Sequence, residues 1–225
     1  MSISTSQVWA IIGLAALIWL ALSIVGVASG GGISIVFNLA DIIPALLFGW
    51  WLYERWGWRW GPLHAVGLLS TPVVIGTWRG TLESFWKDPK TGELPAPKTV
   101  YLTIAQTVTS VSVRLLTDES SSEQVAGAIT RAESGFPAIS YNYRNKPQLE
   151  LRQTRSPIHY GAAVIEIEGR PATGLNGEYW TDRNSSGKFT FREHAPRVAQ
   201  TFEQATTLAY GAPRPVGILD GLRRR

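Results

Sequence analysis

The 225-residue chain contains no cysteine, a single methionine and three histidines, and only 17% of it is charged. The absence of cysteine excludes disulfides and thiolate-ligated zinc or iron–sulfur sites, and with them a secreted disulfide scaffold. His64, His159 and His194 are scattered, and none belongs to a His-Glu-x-x-His pair. A glycine-rich phosphate loop ending in Lys-Ser or Lys-Thr is absent, as is a Gly-x-Ser-x-Gly elbow. The chain therefore carries no enzyme signature, and no metal or cofactor is expected. Its length allows one ordinary domain with an appendage, or two small domains.

Charge is unevenly placed. Met1 to Trp60 hold Arg55 and Arg59 against Asp41 and Glu54. Gly61 to His194 hold fourteen basic and thirteen acidic residues, so this stretch lacks the basic stripe of a long DNA- or RNA-binding surface. A small anionic ligand is not excluded, because a few inward Arg residues suffice for it. From Ala195 onward five basic residues face two acidic ones, and the chain ends in Arg223-Arg224-Arg225.

What the chain has in abundance is tryptophan and long apolar runs. Trp50, Trp51, Trp56, Trp58 and Trp60 cluster as residues of a membrane–water interface do. Val8 to Ala28, "VWAIIGLAALIWLALSIVGVA", is uncharged and long enough to cross a hydrocarbon core of about 30 Å as a helix. "SGGGIS" breaks it, and Ile33 to Tyr53 form a second run of similar length. The expectation is a two-helix transmembrane hairpin within residues 1–60, with helices over 8–28 and 33–53. A cleaved signal peptide is the alternative for the first run. Against it, no Lys or Arg precedes the run, which is longer than a typical signal core. The glycine loop carries no Lys or Arg, whereas Arg55 and Arg59 follow the second run. The positive-inside rule then puts the N-terminus and the C-terminal domain in the cytoplasm.

The second run holds Asn38, Asp41 and Pro44 in its first half. Asn38 and Asp41 share a helix face, and Pro44 frees the Ala40 carbonyl and favours a kink. An Asp in hydrocarbon faces a partner or a water path, or else snorkels to the interface. In the first reading this polar face mediates assembly, which one hairpin cannot do without further copies.

After Trp60 the periodicity changes to alternation. "VVIGTWRGTLESFW" reads as a strand, and Thr99 to Thr117 as two strands or one bent strand with a bulge near Thr107 to Ser110. "DESSSE" reads as a loop. "EQVAGAIT", "PAISYNYR", "YGAAVIEIEG", "LNGEYWTDR" and "GKFTFRE" are further strands, each ended by Gly, Pro, Asn or Ser. Eight strands with short connections within residues 61–194 predict a closed, eight-stranded antiparallel up-and-down barrel, with a β-sandwich as runner-up. Residues 195–225 read as a short amphipathic helix and a basic tail. Gly76-Thr77-Trp78 resembles the first-strand signature of lipocalin-like barrels. That resemblance implies a base closed by Gly76 and Trp78, with Arg192 of the last strand packed over the Trp.

Aromatic and basic residues mix on inward alternations. Tyr141 and Tyr143 fall on one face, as do Tyr179, Thr181 and Arg183, while Gln106 and Arg114 sit on the Thr99 to Thr117 stretch. Such an interior suits a ligand with stacking surfaces and phosphates, because rings stack on bases and Arg forks bind phosphate. The plainer reading keeps the tyrosines as core, with hydroxyls satisfied at the barrel mouth. Glu166 and Glu168 fall on outward alternations.

The ordered set of the hydrophobic hairpin, "IGTWRGTLES", "LTIAQTVTSVSVRLLTDESSSE", "ISYNYRNKP", "HYGAAVIEIEG" and "LNGEYWTDRNSSGKFTFRE" resembles one known family. These are the two-transmembrane β-barrel effectors of CBASS, the bacterial anti-phage system that signals with cyclic oligonucleotides. The resemblance covers Val8 to Arg192. It implies a barrel that binds a cyclic dinucleotide made by a partner nucleotidyltransferase. It further implies homo-oligomerisation, and helices that disrupt the inner membrane. A membrane-anchored carrier of a lipid or apolar molecule is the competing reading, and it predicts a mostly apolar interior. A hairpin protein whose barrel binds a protein partner predicts no cavity.

Overall fold

The computed structural model describes residues 39–61, 64, 71–89, 91–131, 135–154 and 156–213. The chain divides into two compact units, one ending at Ser70 and one running from Thr71.

In the first unit α1 (Leu39–Arg55) carries Pro44 in its interior and Arg55 in its last turn. Its 17 residues span about 26 Å. Leu46, Leu47, Phe48, Trp51 and Leu52 are exposed, and Trp51 meets Phe48 and Trp56 at ring distances of 5.8 and 5.2 Å. Among the described residues no helix is long and apolar enough to cross a membrane. The predicted first span, the glycine loop and Asn38 lie outside the described residues; Asp41 falls in the first turn of α1.

The second unit is a closed barrel of eight antiparallel strands in chain order. They are β1 (Gly76–Ser84), β2 (Lys98–Gln106), β3 (Val111–Leu116), β4 (Ser120–Arg131), β5 (Pro137–Pro147), β6 (His159–Glu168), β7 (Gly174–Thr181) and β8 (Ser186–Ala195). Pairing of β1 with β8 closes the sheet. A six-residue helix, α2 (Leu149–Thr154), lies between β5 and β6.

Two ambiguous stretches resolve through pairing. Thr99 to Thr117 is two strands, joined by a turn in which the Thr107 amide donates to the Ser110 carbonyl at 2.9 Å. The expected "DESSSE" loop is mostly strand, because Ser121 to Glu123 pair with both β3 and β5. Hydrogen bonding on both sides overrides the weak strand preference of serine.

Alternation then sorts the side chains. Trp78, Leu102, Ile104, Val113, Ile139, Ile165, Ile167, Leu175 and Phe191 are buried in one half of the barrel. Burying each such side chain contributes about 1.5–3 kcal/mol, so this half is a solid core. Glu166 is exposed on the outer face.

Beyond β8 the chain folds back over the outside of the barrel. The expected helix is short, α3 (Phe202–Thr206), and Thr201 caps it by accepting from the Gln204 amide at 3.2 Å. Tyr101 packs between Phe202 and Tyr210. Thr77 Oγ1 donates to the Arg197 carbonyl at 2.6 Å and accepts from the Ala199 amide at 2.9 Å. The terminal Arg triplet lies outside the described residues.

Candidate ligand site

One end of the barrel is shut. Gly76 opens β1 at φ 135°, and a Cβ there would collide with His194 Nε2 and the Ala195 carbonyl, so glycine alone fits. Trp78 is fully buried, and its Nε1 donates to the Val74 carbonyl at 2.9 Å. His194 lies against the indole, ring centroids 4.6 Å apart, with its Nε2 3.0 Å from the Ile75 carbonyl. Gln106 completes the closure. Its Oε1 accepts from the Val74 amide at 3.0 Å, and its Nε2 donates to the Pro72 carbonyl at 2.8 Å.

Gly76 and Trp78 thus sit where the sequence signature implies, but Arg192 does not. Phe191 takes the inward position of β8, so Arg192 turns outward, with Nη1 2.5 Å from Glu168 Oε2. A histidine closes this base where an arginine was expected. Gln106 is likewise corrected, since both ends of its amide are engaged at the closed end. Arg114 alternates with inward Val113 and Leu115, faces outward and pairs with Glu123 at 3.3 Å.

Toward its other end the barrel holds a cavity. It measures about 160 Å³ and is walled by Tyr141, Tyr143, Tyr179, Phe189, Leu82 and Leu115. Hydroxyls of Thr117, Ser120, Ser122, Thr181 and Ser185, the Asn145 amide and the His159 ring complete the lining. No Lys, Arg, Asp or Glu is among these residues. Four of the predicted ligand residues, Tyr141, Tyr143, Tyr179 and Thr181, therefore converge. Arg183 falls just past the end of β7, where the turn redirects it, and its Nη1 donates to Ser156 Oγ at 3.1 Å on the exposed surface.

The tyrosines are held closely. Tyr141 and Tyr143 lie 5.8 Å apart, and Tyr179 packs on Phe189 at 5.0 Å. Gly161 on β6 makes room for Tyr143, since a Cβ there would lie 2.5 Å from its ring carbon Cζ and from its hydroxyl. Gly187 does the same for Tyr179, at 2.6 Å from Cε1. Burial pushes the Tyr141 and Tyr143 phenols far above their ordinary range, so both stay protonated donors. Neither hydroxyl has a hydrogen-bond partner among the described residues.

Thr117, Ser120, Ser122, Asn145, His159 and Ser185 are polar lining residues that the sequence reading missed. The signal was available for two of them: Asn145 continues the Tyr141–Tyr143 alternation, and His159 continues that of Gly161 and Ala163. Ser120 and Ser122 were hidden by the loop reading.

A model of the family described as Cap15, cyclic dinucleotide receptor domain, matches residues 69–193, more than half of the chain. The chain belongs to this family. The Cap15 receptor domain is a CBASS effector domain that senses a ligand, not a catalytic family. The matched segment contains every strand but the last residues of β8, and all residues lining the cavity. No curated protein matches the chain.

Proposed function

We propose that this chain is a membrane-anchored effector of CBASS anti-phage defence whose barrel binds a cyclic dinucleotide in the tyrosine-walled cavity. A partner nucleotidyltransferase supplies the signal during infection. Binding promotes assembly of copies, and the N-terminal helices then disrupt the inner membrane and kill or arrest the cell. The barrel lies in the cytoplasm.

The observation that carries this reading is the Cap15 receptor match over a cavity where three buried tyrosines meet a ring of hydroxyls. Aromatic faces suit stacked bases, and phenol hydroxyls lining a cavity suit polar base edges. A lipid chain needs a longer interior than this one, whose closed end is filled by Trp78 and its neighbours. For the membrane step, support comes from the uncharged run Val8 to Ala28 and from the exposed apolar residues of α1. A ligand shifts assembly only through its differential affinity for the assembled state.

The test is a thermal-shift and calorimetric titration of the full chain in detergent against cyclic dinucleotides and fatty acids, paired with dye release from loaded vesicles. Stabilisation by a cyclic dinucleotide together with ligand-dependent release is expected. Stabilisation by fatty acids alone would defeat the reading.

A further inference from the structure

Resting on the receptor reading above, we infer that the cavity admits one base of the cyclic dinucleotide and reads its edge. Both phosphates and the second base remain at the mouth.

Three observations converge on this division. The first is size. Pockets that enclose a drug-sized ligand measure roughly 300–1,000 Å³, and this cavity measures about 160 Å³. That is room for one planar base, not for two nucleotides.

The second is charge. The lining contains no Lys or Arg. A phosphate drawn inside would lose its water and gain no cation, which is strongly unfavourable. A cationic side chain stands outside it instead: Arg183 is exposed in the turn that follows the cavity-lining Thr181. The amide of Asp182 beside it donates to the Tyr160 carbonyl at 3.0 Å, which holds this turn against the start of β6. The Asp182 carboxylate accepts from the Tyr160 amide at 3.1 Å, and it lowers the net positive charge of this edge without joining the lining.

The third is hydrogen-bonding chemistry. Tyr141 and Tyr143 are 4% and 6% exposed, and their hydroxyls have no partner among the described residues. With the Asn145 amide and the Thr181 and Ser185 hydroxyls, they form a neutral set of donors and acceptors. Such a set tells bases apart by their edges, because a mismatched edge leaves a buried polar group unpaired.

The consequence is that selectivity resides in one base only. The experiment measures affinities of the full chain in detergent for three probes: cyclic di-adenylate, cyclic di-guanylate and the mixed adenylate–guanylate ring. The symmetric ligand of the disfavoured base is expected to bind at least about tenfold more weakly than that of the preferred base. The mixed ring should fall within about twofold of the preferred symmetric ligand, the statistical factor for two equivalent ends. Tyr143→Phe should narrow the gap between bases. Arg183→Gln should weaken all three ligands by a similar factor and leave their ranking intact. A mixed ring midway between the symmetric ligands on a logarithmic scale means that both bases are read, and it overturns the inference. Equal affinity for all three probes overturns it too. If none of the probes, nor a pyrimidine-containing ring, binds at all, the receptor reading itself fails.

Discussion

The imidazole of His194 lies 4.6 Å from the indole of Trp78, centroid to centroid, and seals the end of the barrel opposite the cavity. Its Nε2 meets the Ile75 carbonyl at 3.0 Å. The residue two positions earlier, Arg192, is on the outer face with Glu168. His194→Ala should therefore cost about 2–3 kcal/mol of unfolding free energy, from lost packing and an orphaned buried carbonyl. Arg192→Ala should cost about 1 kcal/mol or less, as exposed ion pairs do. Urea denaturation of the two variants checks the order, and the reverse order would return the closing role to Arg192.

Tyr143 and Gly161 separate binding from packing. Tyr143→Phe removes a hydroxyl with no described partner, so stability should stay within about 0.5 kcal/mol. Ligand affinity should fall about three- to tenfold, one hydrogen bond's worth. Gly161→Ala places a methyl 2.5 Å from the Tyr143 ring. Overpacking of this kind costs about 1–3 kcal/mol, and binding should be abolished as the ring moves into the cavity. Calorimetry beside chemical denaturation distinguishes the two outcomes.

The pH behaviour follows from opposite shifts at the two ends of the scale. Burial raises the Tyr141 and Tyr143 phenols above their unfolded value. Their contribution to stability is complete below about pH 10 and is lost as pH rises further. Lys146, with smaller help from Arg114 and Arg144, holds the Glu123 carboxyl below its ordinary range. Its contribution is present above the unfolded carboxylate value and is lost as pH falls through the lowered one. The melting temperature should be level from about pH 6 to 9 and decline at both extremes, with ligand affinity level over the same window. An affinity that drops between pH 7 and 9 would mean that one of these phenols ionises in the working range.

Asp41 tests the membrane half of the proposal. On the reading that its polar face joins copies, Asp41→Leu should retain full ligand affinity in detergent and lose ligand-dependent dye release from vesicles. Release at the wild-type level would dismiss that role for the carboxylate.

Sequence and structure agree where a local rule was sufficient. Val, Ile and Thr on alternating positions predicted the strands, and glycine, proline and asparagine marked their ends, so the strand count was legible. The inward set Tyr141, Tyr143, Tyr179 and Thr181 followed from parity within single strands. Arg114 and Arg192 face outward although their parity was also readable: charge invited a ligand role for Arg114, and the lipocalin-like signature implied a closing role for Arg192, where alternation denies both. Gln106 was read as a ligand candidate with no height along the barrel axis, which depends on the stagger between strands and puts it at the closed end against Val74 and Pro72. Arg183 obeyed alternation only up to the end of β7, where hydrogen bonding in the turn took over.

The sequence by itself determined the alternating strands and the Gly-x-Trp signature that opens the first of them, because each of these rests on backbone geometry that neighbouring residues impose. Only the tertiary structure decided that the sheet closes through β1 and β8 and leaves a cavity beside the tyrosines, that His194 rather than Arg192 closes the base, and that the cavity wall carries no Lys or Arg. Those features arise from register across eight strands. The register brings Trp78, Ile104 and Phe191 into the core and leaves Gly161 and Gly187 beside the tyrosines of the cavity.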